Sequence, residues 1–397
     1  MLVFMLVVPA AKAQVGNVIY TAQDRQGEQS IFLDRSGDLY PPAAVPVDRD
    51  GMLGLGLPRH EVTEANVATL RAHFERQSRL QSPAWLALLR ASAVTPRADF
   101  ADTWDRIQAK FRDETVARLN RSRQQELVFL VHGFNNTQDE ASAWMDPVAQ
   151  RMQRRRPSAQ IVKVYWDGLQ GNRWGVGIWS KAQFNGPRTG QGFRRILSDL
   201  GSDHPVRIFT HSSGAYMITN ALGDGGASFN RFRSDPVVAA RAGGRAAGYA
   251  LPFNLTDLRV AMLIPAQPWT AFNAYADGSG VVPERLILGT SRRDIAASKA
   301  MLPCNWFGNS CMAVKPEKAC AAAQKALGAA RAAKGKAPAS VIVVDFPKPA
   351  NRRYHEHAVE AYAADRVQWD EMMQQLFDDA PEPPHGPSYG CSGARLA

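Results

Sequence analysis

The chain has 397 residues, 45% apolar and 21% charged. That balance excludes a disordered, fibrous or polytopic membrane protein and fits one large globular domain or two modest ones. The formal net charge of +10 favours anionic partners such as an acidic envelope surface. Nucleic acid is not expected, because no basic stripe is interleaved with aromatics, and Arg151, Arg154, Arg155 and Arg156 read as a solvated helix end.

The first residues, MLVFMLVVPAAKAQ, form a short apolar run closing on Ala11-Lys12-Ala13. This is the apolar stretch and small-x-small site of a secretory signal, with cleavage expected before Gln14, although no basic residue precedes the run. A buried first strand or an anchor is the other reading. The run is far shorter than the ~20 residues a spanning helix needs, and no later segment reaches that length. The expected location is therefore outside the cytoplasm, periplasmic or extracellular. Four cysteines, Cys304, Cys311, Cys320 and Cys391, suit such an oxidising compartment. Three pairings are open, and Cys304–Cys311 with Cys320–Cys391 is favoured.

Residues 17–23 and 29–35 read as two strands of a hairpin around the turn Asp24-Arg25-Gln26-Gly27. Residues 40–60 read as loop and 63–121 as helical. There, Trp104, Ile107, Phe111 and Leu119 form an apolar stripe at helical spacing, which predicts core packing. From 126 the pattern changes. Six β-branched apolar runs, at 126–133, 161–166, 205–212, 258–264, 284–290 and 339–346, alternate with helix-compatible stretches. They lack polar alternation, so the spacing predicts a parallel sheet covered by helices on both faces. Residues 167–192 show little periodicity, and 301–337 carry three cysteines before an Ala/Lys/Arg helix. Both read as insertions. A terminal helix is predicted over 358–377, followed by a non-regular tail from 381.

Ligand sites in such sheets lie at the carboxyl ends of the strands. Thr210-His211-Ser212-Ser213-Gly214 follows one strand directly and precedes a helix. A strand-to-helix turn that thrusts a serine outward needs small residues two before and two after it, here Thr210 and Gly214. Standing alone, the serine could equally be a helix N-cap. His132-Gly133-Phe134-Asn135-Asn136 ends another strand. Its Phe134 N–H, with that of Ser213, could hold a developing oxyanion; Asn135 could touch substrate. A strand ending in a Gly turn is the plainer alternative. Asp294, after the run ending at Thr290, is the candidate acid, with Asp277 as its rival. His357 is the candidate base, with His355 as alternative, both lying before the terminal helix. A metal on that His-x-His pair lacks a third ligand at recognisable spacing, so no metal or other cofactor is expected. Trp166, with Trp174 and Trp179, could line an acyl or aromatic pocket; core packing is the more common use of such residues. His132 and His211 read as turn residues, and His60, His73, His204 and His385 as surface residues.

FLVHGFNN, a strand ending in Tyr165-Trp166, and THSSGAYM together resemble the α/β-hydrolase superfamily. The likeness is greatest to a bacterial branch of esterase-like proteins carrying HGFNN and HSxG. It covers about residues 126–377. The resemblance implies an α/β-hydrolase fold, with a mostly parallel central sheet, helices on both faces, and the N-terminal hairpin and helical segment as an extension. It also implies a triad in chain order Ser, Asp, His, carried over onto Ser212, Asp294 and His357, and Ser298 one helix turn after the acid. The expected organisation is a signal peptide at 1–13, the hairpin and helical segment at 14–125, the catalytic domain at 126–380 and the tail at 381–397.

The function expected is a serine hydrolase, carboxylesterase- or lipase-like, acting on a small or lipid-like acyl substrate through an acyl-enzyme. The alternatives are a non-catalytic envelope-binding protein that keeps this fold, and a basic envelope-binding module in which 14–125 is the binder.

Overall fold

A computed structural model describes residues 28–33, 37–40, 97–121, 126–134, 136, 138–166, 168, 178–201, 204–223, 255, 257–275, 280–294, 297, 311–347, 357–378 and 388–391. The signal-like run, the strand at 17–23, the turn at 24–27, most of the loop at 40–60 and the helical expectation at 63–96 lie outside these residues. So do His60, His73, Asn135, Trp174, Asp277, Ser298, Cys304, His355 and His385, and the side chains of Trp104, Ile107, Trp179 and Cys311.

Among the described residues, nine strands form one sheet in the order β2-β1-β4-β3-β5-β6-β7-β8-β9. They are β1 (Glu28–Leu33), β2 (Leu39–Tyr40), β3 (Leu127–Val131), β4 (Gln160–Trp166), β5 (Val206–His211), β6 (Leu258–Leu263), β7 (Arg285–Thr290), β8 (Ser340–Asp345) and β9 (Ser388–Gly390). Seven are mutually parallel; β2 and β9 pair antiparallel at the two edges. The six apolar runs are β3 to β8, each displaced by no more than two residues from its expected bounds. Strands β3, β4, β5 and β6 are buried at every position. Burial on both faces explains why they carry no polar alternation. The result is an α/β architecture.

Strand β1 pairs in parallel with β4 from Glu28↔Ile161 to Leu33↔Trp166. The boundary expected at 125/126 therefore cuts through a single sheet. At its far end β1 turns back onto β2, pairing antiparallel at Phe32↔Tyr40 and Leu33↔Leu39; the expected partner strand at 17–23 lies outside the described residues. Helix α1 (Arg97–Asn120) closes over this edge, where Gln108 binds the backbone of Leu39 at both N–H and carbonyl, 2.7 and 3.0 Å. Phe111 and Leu119 are buried as the stripe predicts.

Helices α2 (Gln138–Arg155), α3 (Ile178–Ser198), α4 (Gly214–Leu222), α5 (Pro316–Ala332), α6 (Val359–Ala363) and α7 (Arg366–Phe377) complete the layers. Residues 167 and 169–177 lie outside the described residues; from 178 onward, helix α3 corrects the expectation of an insertion with little periodicity at 167–192. Its glycines obscured a helical period because they serve close packing, not flexibility. A Cβ on Gly190 would lie 2.6 Å from the Met217 carbonyl of α4, and one on Gly186 2.9 Å from the Tyr216 ring. Arg194, nearly fully buried, donates to the carbonyls of Ala221, Leu222 and Gly223, capping the end of α4. Unsatisfied carbonyls at a helix end otherwise cost free energy when buried.

The terminal helix is two helices, with Ala364 and Asp365 between them. Asp365 starts the second, its carbonyl accepting from Trp369 N–H at 3.0 Å, while its side chain makes no capping bond to the helix. The end of α7 is clamped by three arginines, two from strand starts and one from just after α2. Arg285 donates to the Gln375 carbonyl and Arg259 to the Asp378 carbonyl, both at 2.7 Å, and Arg156 donates to the Phe377 carbonyl. The tail is tethered twice, by β9 on β8 and by a Cys320–Cys391 disulfide, Cα–Cα 5.6 Å. The bridge spans 71 residues. In the chain-entropy account such a loop closure is worth about 4 kcal/mol. No helix among the described residues is long and apolar enough to cross a membrane.

Gly190→Ala tests the α3–α4 contact. Helix propensity alone predicts a gain of about 1 kcal/mol. A methyl forced against backbone should outweigh this, giving a net loss of about 1–3 kcal/mol in urea denaturation. Unchanged or raised stability would show that the two helices can part without cost.

Candidate active site

The strand order reverses between β3 and β5: the chain passes from β3 to β4 on one side, then crosses to β5 on the other. A crevice opens outside the carboxyl ends at such a switch point, and both sequence motifs end there. Ser212, the residue after β5, has φ +54°. Left-handed backbone is uncommon for a residue with a Cβ, and it lets β5 turn directly into α4. The turn is held from β6: Ser212 N–H donates to the Leu263 carbonyl at 3.0 Å, and the Ser212 carbonyl accepts from Ala266 N–H at 3.1 Å. Ile264, in that same β6 end, also has a positive φ, +46°. Two strained residues thus sit back to back, each costing of order 1–3 kcal/mol.

Glycines supply the room. A Cβ on Gly214 would stand 2.6 Å from the His132 carbonyl and 2.8 Å from that of Val131. A Cβ on Gly133 would stand 2.8 Å from the Ser212 Cβ. The loop after β3 therefore lies directly against the serine. Phe134 is half-buried there, and Ser213 begins α4. Asn135 is outside the described residues.

The structure brings Ser212, His357 and Asp294 together from three distant stretches. His357 Nδ1 is 2.9 Å from Asp294 Oδ2, and its Nε2 is 2.7 Å from Ser212 Oγ. With Nδ1–H donating to the carboxylate, Nε2 accepts from the hydroxyl. Asp294 has no solvent exposure. Burial pushes its carboxyl up. Hydrogen bonds from His357, from the Tyr362 hydroxyl at 2.6 Å and from Ala297 N–H at 2.5 Å outweigh that and hold it below the usual carboxylate range. Asp294 is thus an anion at neutral pH, and the serine proton has an imidazole to go to.

Two further histidines are fixed as neutral groups. His132 Nε2 accepts from Trp166 N–H at 3.0 Å, while its Nδ1–H donates to the Gly133 carbonyl at 2.6 Å. Burial pushes its pKa down to about 4. His211 donates from Nε2 to the His357 carbonyl at 2.8 Å. Burial, then repulsion from His357, takes its pKa down to about 3. His211 therefore holds the backbone of the residue whose ring faces Ser212.

Trp166, expected against substrate, is instead 1% exposed. Its indole N–H donates to the His132 carbonyl at 2.7 Å and its ring stacks on His132 at 5.8 Å. It braces the loop after β3. His204, expected on the surface, is buried at the head of β5. The residues that sequence reasoning missed are Tyr362 and His211. A tyrosine on the apolar face of a helix carries no mark of its partner. His211 stands beside Ser212 in the sequence, but only its contact with a residue 146 positions away gives it a role.

Tyr362→Phe removes one donor from a buried carboxylate and should cost about 1–3 kcal/mol at pH 7. The sign of the pH dependence follows from the depressed carboxyl of Asp294. Its stabilisation is complete above the ordinary carboxylate value of 3.8 and is lost as pH falls through the lower folded value. The gap between wild type and Tyr362→Phe in chemical denaturation should therefore narrow below about pH 4. A gap that persists undiminished into that range would show that the hydroxyl does not act through the Asp294 charge.

No protein-family model matches this chain, and no curated protein matches its sequence.

Proposed function

We propose that the chain is a serine hydrolase of the α/β-hydrolase fold that cleaves an ester or related acyl bond. The observation that carries this reading is the continuous relay from Asp294 through His357 to Ser212, at 2.9 and 2.7 Å, ending on a serine held at φ +54°.

The steps follow from the geometry. Ser212 Oγ attacks the acyl carbon while its proton passes to His357 Nε2. Asp294 orients the imidazole and stabilises the imidazolium without taking the proton itself. The carbonyl oxygen becomes an oxyanion, for which the backbone N–H groups of Ser213 and Phe134 are the proposed donors. The close approach of Gly133 to Ser212 supports that pairing, because it keeps the loop's backbone beside the reacting carbon. His357 then gives its proton to the departing alkoxide, leaving an acyl ester on Ser212. Water attacks that ester as its proton passes to His357, which then returns a proton to Ser212 Oγ as the bond to the acyl carbon breaks and the acid leaves. Asn135 remains the proposed substrate contact on the same loop. An exported location accompanies this reading, since the Cys320–Cys391 bridge suits an oxidising compartment.

Ser212→Ala should lower turnover of p-nitrophenyl esters by about a thousandfold or more and abolish labelling by a fluorophosphonate probe. His357→Ala should do the same to turnover, whereas His355→Ala should retain it. A wild-type protein that folds yet neither labels nor turns over would make the chain a binding protein with an inert serine.

A further inference from the structure

Away from the reacting groups, the last turns of α2 and the first turns of α7 enclose a groove of about 360 Å3. Arg151, Arg154 and Arg155 line it from α2, and Arg366, Trp369 and Asp370 from α7. Four guanidinium groups thus face one carboxylate. None of Ser212, His357 and Asp294 lines this groove.

Two of the arginines are committed. Arg151 donates from Nη1 to the Ala363 carbonyl at 3.1 Å, with its guanidinium 5.9 Å from the centre of the Trp369 ring. Arg155 pairs with Asp378 at 3.0 Å. Arg154 and Arg366 are exposed and have no hydrogen-bond or ion-pair partner among the described residues. Asp370 stands four residues after Arg366 on α7, a spacing that permits a pair, yet none forms. Inside the first turn of α7 there is no acidic residue, only Asp365 at the N-cap position before it, and Arg366 sits at the helix's positive end. A cation there is unfavourable by the helix dipole alone. Two of the four guanidinium groups in the groove, those of Arg154 and Arg366, are therefore left unpaired by the described residues.

We propose that this groove binds a phosphate-bearing anion carrying more than one negative charge. Guanidinium forks match the oxygens of phosphate bidentately. A tetrahedral phosphate presents oxygens in several directions at once, as cations approaching from two helices require. Arg151, already oriented by Trp369 and Ala363, supplies a preorganised side. The inference stands independently of whether the chain hydrolyses esters.

Titration calorimetry of the full chain with pyrophosphate, against sodium chloride at matched ionic strength, tests this. Pyrophosphate should bind the wild type, and Arg154→Gln/Arg366→Gln should weaken it about tenfold or more. Sedimentation with phosphatidylcholine vesicles, with and without phosphatidylglycerol, distinguishes the source. Retention only on the anionic vesicles, lost in the double variant, assigns a lipid headgroup; pyrophosphate binding without vesicle binding assigns a soluble phosphate compound. Three results would overturn the proposal: no binding of either probe beyond the salt control, equal binding by the double variant, or citrate binding as tightly as pyrophosphate.

Discussion

The left-handed turn at Ser212 is the constraint around which the rest of the site is arranged. A strand that must become a helix within two residues has to reverse sharply, and a residue with a Cβ resists the backbone this needs. The end of β6 holds the turn through both the N–H and the carbonyl of Ser212, and is itself bent to a positive φ at Ile264. Gly214 and Gly133 are required because the carbonyls of Val131 and His132 and the serine Cβ leave no room for a side chain. The strain is thus shared between neighbouring strands, and its product is one hydroxyl held out at a switch point.

Charge is handled by burial and pairing. A carboxylate with no solvent exposure would ordinarily take up a proton. Asp294 remains ionised because three donors surround it. His132 and His211, pressed toward neutrality by burial, act as donors and acceptors of fixed polarity, one bracing the loop after β3 and the other holding the His357 backbone. Many cations are likewise consumed internally: Arg194 caps α4, while Arg156, Arg259 and Arg285 cap α7. The overall positive charge is therefore a poor guide to partners by itself. What counts is where cations remain unneutralised, and the α2–α7 groove is such a place.

Some elements were legible in the sequence because their signal is local. An unbroken β-branched run identifies a strand buried on both faces, and all six such runs are strands. The glycines of α3 misled because a helix that packs backbone to backbone trades apolar periodicity for small residues. Trp166 misled for a related reason: a large aromatic after a strand can line a pocket or plug one, and the choice depends on whether a carbonyl such as that of His132 lies in reach of its N–H.

By itself, then, the sequence determined the alternation of strand and helix and the candidate serine, and it narrowed the carboxylate to Asp294 or Asp277 and the imidazole to His357 or His355. Those rest on short-range patterning and on the chemistry of single side chains. The tertiary structure alone decided that β1 joins the parallel sheet, that Tyr362 donates to Asp294 and that His211 anchors His357. Each of these joins residues far apart in the chain, and a hydrogen bond formed across such a separation leaves no periodic trace in the sequence to announce it.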